Sequence, residues 1–159
     1  MLQETCIYCS SEFELQSLDH HNISELELIN LRTLPVIYKK AFYDSLLSDS
    51  TKHGYILKYR GITAGGCAYW IEKNQCYIMT LGIVPEMRMM KLGSWMLEQV
   101  ENFVKEMGLN KICLHVQTNN LAAKQFYEKN KYKIVATDIN YYKNVIPRSA
   151  YVFEKRFKM

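Results

Sequence analysis

A histidine and a tyrosine are the first residues whose positions suggest chemistry. His115 stands in the run 111–117. There Ile112, Leu114 and Val116 fall on one face of a strand, and Cys113, His115 and Gln117 on the other. An imidazole titrates near neutrality and suits general-base work through water. Tyr77 lies in Tyr-Ile-Met-Thr-Leu-Gly at 77–82, a run rich in aromatic and β-branched residues that reads as a strand. A phenol with a pKa of about 10 can relay a proton or order that water. The residues alone leave two readings open. The two form a proton-transfer pair, or they are a hydrogen-bonded sheet histidine and a packing aromatic.

A second feature follows Tyr77 directly. Pro85 ends the strand, because proline cannot donate to a ladder. From Leu92 the period changes. Leu92, Met96, Val100, Phe103, Val104 and Met107 recur at three and four residues, which is one helix face, and Gly108 stands where a helix-ending glycine belongs. Between strand and helix lie Arg88, Lys91 and Gly93. Amide N–H groups at a helix N-terminus form an anion site, and a cationic turn feeding it suits a pyrophosphate. The run matches neither GxxxxGK[ST] nor GxGxxG. An ordinary strand-to-helix turn on a basic chain is the other reading. A third feature is a pair of loops far apart in sequence. Leu34, Pro35, Val36 and Tyr38 form one, and Tyr141, Tyr142 and Val145 the other. Both carry apolar and tyrosyl groups, a composition that suits an apolar peptide site, or loops packed on each other. Cys6-Ile-Tyr-Cys9 with His20-His21 offers poor zinc geometry, since adjacent histidines do not space well around a tetrahedral ion. No metal is expected.

Arg88-Met-Met-Lys91-Leu-Gly93 resembles the (Gln/Arg)-x-x-Gly-x-(Gly/Ala) signature of the GNAT superfamily of N-acetyltransferases, with Lys91 at the place of the first glycine. The wider order is more specific. Residues 77–82, Leu-His-Val-Gln at 114–117, Asn120, Phe126-Tyr127 and Asn-Tyr-Tyr-Lys at 140–143 are similar to the catalytic-subunit family of N-terminal acetyltransferase E (NatE). Leu-Pro-Val-Ile-Tyr at 34–38 is similar to the substrate loop of that family. The resemblance implies a single-domain GNAT-like α/β fold, with a mixed, mostly antiparallel sheet flanked by helices. It covers residues 12–159 as the domain and leaves 1–11 as an extension. It implies acetyl-CoA as cosubstrate, held by Ile83, Val84, Arg88, Met89, Lys91, Leu92, Gly93, Ser94, Asn120 and Tyr127. Tyr77 and His115 would deprotonate the amine through water, and Tyr127 would attend the thiol. A backbone N–H near Leu81-Gly82 would meet the oxyanion. Leu34, Pro35, Val36, Tyr38, Tyr141, Tyr142 and Val145 would line the groove for an N-terminal peptide beginning Met-apolar. A ribosome-associated acetyltransferase complex is the partner the resemblance suggests. Acetylation of lysine or small amines, or a non-catalytic subunit of this fold, are the alternatives.

The elements that must position these residues follow from periodicity and breakers. The expected order is a strand at 13–18, helices from Asn22 and from Tyr38, and strands at 55–59 and 62–70 joined across Arg60-Gly61. Gly65-Gly66 marks a bulge. A strand at 75–84, the long helix, a strand at 111–117 and a helix capped by Asn120 come next, then strands at 131–138 and 150–157. A chain of 159 residues suffices for one core, and 48% apolar with 23% charged residues is ordinary for a globular chain. A net charge of +4 suits an anionic cosubstrate and not a dedicated nucleic-acid binder. No apolar run approaches the ~18 residues of a membrane span, and no signal peptide is visible. Five cysteines without a dense framework suit free thiols in a reducing compartment, and a cytoplasmic location is expected.

Overall fold

The computed structural model describes residues 6–9 and 12–159. The rest of the expected N-terminal extension, with the side chains of Cys6, Cys9 and Met89, lies outside the described residues. The strands are β1 (Cys6–Cys9), β2 (Phe13–Ser17), β3 (Lys52–Tyr59), β4 (Ile62–Glu72), β5 (Gln75–Ile83), β6 (Lys111–Gln117), β7 (Lys133–Asp138) and β8 (Ala150–Arg156). The helices are α1 (Ile23–Thr33), α2 (Lys40–Ser48), α3 (Leu92–Glu106) and α4 (Leu121–Lys129), with a 3-10 turn at Pro85–Met90. This is the expected order with β1 added, so part of the supposed extension is an edge strand, paired antiparallel to β2.

The chain divides into two compact units. One runs to Trp70 and resumes at Met79–Leu97, and the other is Ile71–Ile78 with Glu98–Met159. Strand β5 belongs partly to each. The strand order is β1-β2-β3-β4-β5 on one side of that strand and β5-β6-β8-β7 on the other. β5 and β6 run parallel, while β1–β2, β2–β3, β3–β4, β6–β8 and β7–β8 are antiparallel. The expected α/β class with a mixed, mostly antiparallel sheet is what the chain adopts.

In the first unit, Leu26 and Ile29 of α1 and Tyr43 and Leu46 of α2 pack with Ile56 of β3 and Ala68 of β4. Glycine allows α1 to lie close on the strands. A Cβ on Gly66 would come to 2.8 Å of Leu26 Cδ1, and one on Gly82 would run into Thr33 Oγ1. Arg60 and Gly61 both have positive φ, 50° and 78°, as a two-residue hairpin of the mirror-image type requires. The bulge sits one residue from the expected glycines. Leu57 pairs with Gly65 and Lys58 with Thr63, leaving Ala64 as the extra residue, whose carbonyl accepts the Val84 N–H at 2.9 Å. Asn22 precedes α1 but its side chain does not cap it. Its Oδ1 accepts from the Asp19 N–H and its Nδ2 donates to the Ser17 carbonyl, so it fastens the turn leaving β2.

In the second unit Ile112, Leu114 and Val116 of β6 are buried with Phe153 of β8, while Cys113 and His115 are half-buried on the other face. Gly108, φ 75°, ends α3 as its sequence position required, with the Leu109 N–H on the Val104 carbonyl and the Gly108 N–H on that of Lys105.

Candidate active site

Parallel pairing of β5 with β6 sets Tyr77 against Cys113 in register, two residues from His115. The Tyr77 hydroxyl lies 2.7 Å from His115 Nδ1 and 2.8 Å from the Tyr141 hydroxyl. The Tyr141 ring also lies flat against His115, with centroids 3.8 Å apart and planes 6° from parallel. One phenol therefore touches both residues singled out for proton transfer. A hydroxyl carries one donor and two acceptor sites. With Tyr77 donating to Nδ1 and accepting from Tyr141, the His115 proton is assigned to Nε2, and one acceptor site on Tyr77 remains for a substrate group or water.

Electrostatics divides the work. Burial holds the His115 imidazole below its ordinary 6.5, with Asp138 pulling the other way. The ring is thus neutral, and a competent base, at neutral pH. Burial first, then the bond to Tyr141, pushes the Tyr77 phenol far up, so it keeps its proton. Tyr77 can pass a proton or hold a water but cannot rest as phenolate, whereas His115 can end as the acceptor.

The loop that presents Tyr141 is tied to the end of β6. Gln117 Nε2 donates to the Pro147 carbonyl at 2.9 Å. The Thr118 N–H donates to the Ser149 carbonyl, and the two hydroxyls bond at 2.7 Å. The Tyr142 N–H donates to the Arg148 carbonyl. The Tyr142 ring stands edge-on to Tyr141 at 4.9 Å. Burial, then the neighbouring Tyr141, lifts its hydroxyl to about 12 against the Gln117 backbone bond. Val145 is half-buried in the same loop. Sequence reasoning had Tyr141 as groove wall only. Its link to Tyr77 depends on the folded path of a loop 64 residues away in the chain.

Asn120 caps α4 through its Oδ1, which accepts the Ala123 N–H at 3.1 Å. Tyr127 on that helix is buried, edge-on to Tyr132 at 5.5 Å and beside Phe153 at 5.9 Å. Its ring is thus part of an aromatic core as well as a candidate for the thiol.

In the other unit, the basic turn forms as expected. Ile83 and Val84 are buried at the strand end, and Arg88 Nε donates to the Ile83 carbonyl at 3.0 Å. Lys91 closes the 3-10 turn in the left-handed region, φ 58°, ψ 21°. The first turn of α3 follows, Leu92 with its side chain in the core and then Gly93 and Ser94. The Trp95 N–H is bonded back to the Lys91 carbonyl. Positive φ at residue 91 explains why glycine suits this place in the signature: a Cβ is strained there. The amides at the head of α3 and the Arg88 and Lys91 cations fit an anionic diphosphate. The loop after α1 also belongs to this unit. The Leu34 N–H caps α1 on the Asn30 carbonyl. Pro35 is exposed and Val36 half-buried. The Tyr38 ring stacks on Phe42, and its hydroxyl reaches the Met79 carbonyl of β5 at 3.5 Å. Among the described residues no three His, Cys, Asp or Glu cluster as metal ligands would.

The model of the acetyltransferase (GNAT) family matches residues 19–132. The chain is 34% identical over 153 residues to a probable N-acetyltransferase, san, of Drosophila melanogaster, across 93% of this chain and 83% of that protein. It is 34% identical over 152 residues to N-alpha-acetyltransferase 50 of Danio rerio, across 91% and 89%. The structure of Arabidopsis thaliana Naa50 in complex with the bisubstrate analogue CoA-Ac-MVNAL superposes with a TM-score of 0.83 at 32% identity, covering 92% of this chain and 99% of that one. The chain belongs to the acetyltransferase (GNAT) family, as an N-acetyltransferase that uses acetyl-CoA.

Proposed function

We propose that this chain acetylates the N-terminal amine of polypeptides that begin with Met followed by an apolar residue. The observation that carries the reading is the Tyr77–His115–Tyr141 network, in a chain 32% identical to one whose structure holds a CoA-acetyl-Met-Val analogue. Acetyl-CoA supplies the acetyl group as an activated thioester. In one unit the amides at 92–94, with Arg88, Met89 and Lys91 of the turn, are the candidates for its diphosphate, and Ile83 and Val84 for its arm; in the other unit Asn120 and Tyr127 are the candidates for its arm. Tyr77 accepts the proton that leaves the peptide ammonium, through an ordered water, and hands its own to His115 Nδ1. The freed amine forms the new C–N bond as the C–S bond breaks. Tyr127 protonates the departing thiolate, and the proton lost by the acylated nitrogen restores its phenol. In one unit Leu34, Pro35, Val36 and Tyr38, and in the other Tyr141, Tyr142 and Val145, are the candidate peptide contacts. Apolar and tyrosyl walls favour an apolar second residue and bond the peptide backbone.

The reading extends to a cytoplasmic location and to nascent chains met in a ribosome-associated complex. Free thiols at Cys67, Cys76 and Cys113 agree with a reducing compartment. Among the described residues no helix is long and apolar enough to cross a membrane. The test is acetylation of a peptide panel by the purified protein. Met-Leu and Met-Val peptides should react at least about tenfold faster than peptides beginning Ser or Ala, a difference of about 1.4 kcal/mol at the transition state. Equal rates across the panel, or preference for N-terminally blocked lysine peptides, would return the reading to a lysine or small-amine acetyltransferase.

A further inference from the structure

Pairing of β5 with β6 sets the register of Tyr77 and His115 but not the orientation of their side chains. We propose that Tyr141 is a positioning residue for this pair, fixing the His115 ring by its stacked face and the Tyr77 hydroxyl by its own. This rests on the acetyltransferase reading and adds a role beyond lining the peptide groove.

Five observations carry it. The stack is close and flat, 3.8 Å and 6°, so the ring covers one face of the imidazole and restrains its rotation. The Tyr77 and His115 rings, by contrast, sit 5.7 Å apart and 54° from parallel, so they meet through one hydrogen bond and not through a packed face. The Tyr141 hydroxyl, 2.8 Å from that of Tyr77, satisfies one of its acceptor sites and leaves the Tyr77 proton aimed at Nδ1. Tyr141 is itself 38% exposed, so its place is not dictated by core packing. The bonds from Gln117 and Thr118 hold its loop against the end of the strand that bears His115, and the Tyr142 N–H closes the loop on the Arg148 carbonyl. One loop side chain thus fixes two others.

Among the described residues, the groups facing His115 are Tyr77 from β5, Tyr141 from the loop, Cys113 and Gln117 on its own strand face and the more distant charge of Asp138 at the end of β7, while the β8 residue in register with it is Val152. Removing the Tyr141 ring therefore changes chiefly the solvent exposure of the imidazole. The experiment follows the His115 ring protons by NMR through a pH titration of the peptide-free protein, beside kcat and KM for a Met-Leu peptide. Wild type, Tyr141→Phe, Tyr141→Ala and Tyr141→Leu are compared, with circular dichroism melts to select folded variants. In Tyr141→Ala or Tyr141→Leu the His115 midpoint should rise toward 6.5, and kcat at saturating peptide should fall at least about tenfold. Tyr141→Phe keeps the stack, so its midpoint should stay with wild type while kcat falls less. A midpoint unmoved in the ring-deleted variants overturns the proposal, as does a loss confined to KM, since a mere groove wall would act on KM alone. If wild type acetylates no peptide, the functional reading fails, and the His115 midpoint still decides the role of Tyr141.

Discussion

His115 is the residue on which the proposed proton path depends, and its environment sets a testable pH signature. Burial keeps its imidazole below 6.5, so the acid limb of kcat/KM should fall below pH 6.5. The sign for stability follows the same shift. Below 6.5 the unfolded chain takes up a proton that the buried ring resists, so stability present above 6.5 is lost as pH falls through that range. His115→Ala and Tyr77→Phe should each lower kcat by about 10² or more, the scale of general-base loss, with little change in acetyl-CoA affinity. Steady-state kinetics with calorimetric cofactor binding checks both, and two folded variants at wild-type kcat would make the residues structural. Lys91 makes a second case. At φ 58° it carries a Cβ where glycine is relaxed. Lys91→Gly should therefore raise unfolding free energy by about 0.5–1 kcal/mol, after the greater chain entropy of glycine is set against the relieved strain. It should shift the acetyl-CoA Kd by less than about tenfold, because the lost ammonium and the closer backbone act in opposite directions. Failure of wild type to bind, with binding restored in Lys91→Gly, would favour the non-catalytic reading. Alternation put His115 on the strand face away from the core, but the role of Tyr77 and His115 was legible only through the family resemblance. Tyr141 as their partner was not, since no local pattern links residues 77 and 141.

Helix α1 and strand β5 are held by backbone proximity, and this separates two kinds of glycine. Gly82 faces Thr33, whose Oγ1 donates back to the Ile29 carbonyl within α1. Gly82→Ala should push α1 off the strand and cost about 1–3 kcal/mol in denaturant melts, the scale of overpacking. Gly108→Ala meets nothing within 4 Å and should cost only about 1 kcal/mol, from its φ of 75°. Equal losses at the two sites would contradict this account. The end of α3 to β8 shows another dependence. Glu101 is buried and accepts from Lys155 at 2.9 and 3.0 Å and from the Tyr132 hydroxyl at 3.1 Å. Lys155 also reaches the Asn130 carbonyl at 3.0 Å. Burial, then the Glu101 charge, drives the Tyr132 phenol upward, so it stays a donor. Lys155→Met leaves a buried carboxylate without its cation and should cost about 3 kcal/mol or more, read by chemical denaturation. The periods of 2 and 3.6 placed these helices and strands in the sequence. The bulge at Ala64 went to a neighbour of the expected glycines. Register depends on which strand lies alongside, and Gly65 and Gly66 serve close approach instead.

The folded chain as a whole should respond to its cosubstrate. A ligand at 100 times its Kd adds about 2.7 kcal/mol to the folded state. For a chain of this length that is a rise of roughly 5–10 °C in the melting temperature. Acetyl-CoA should give that shift in a thermal melt, and a flat response at millimolar concentration would count against binding. The sequence determined the order of elements, because apolar periodicity and the breakers Pro85, Arg60-Gly61 and Gly108 act over a few residues. It also made the family legible, through residues 77–82, 88–93 and 114–117, Asn120 and Phe126-Tyr127, which lie within the family match, and through 140–143 beyond it. Three matters were decided only by tertiary structure. The first is that Cys6–Cys9 pairs as an edge strand, which depends on the free edge of β2. The second is that residue 91 takes positive φ. The turn must reverse between a strand and α3, and a lysine side chain gives no sign of that reversal. The third is that Tyr141 joins Tyr77 and His115. Hydrogen bonds of 2.7 and 2.8 Å between side chains 38 and 64 positions apart depend on how β6 and a distant loop fold together, which no local pattern records.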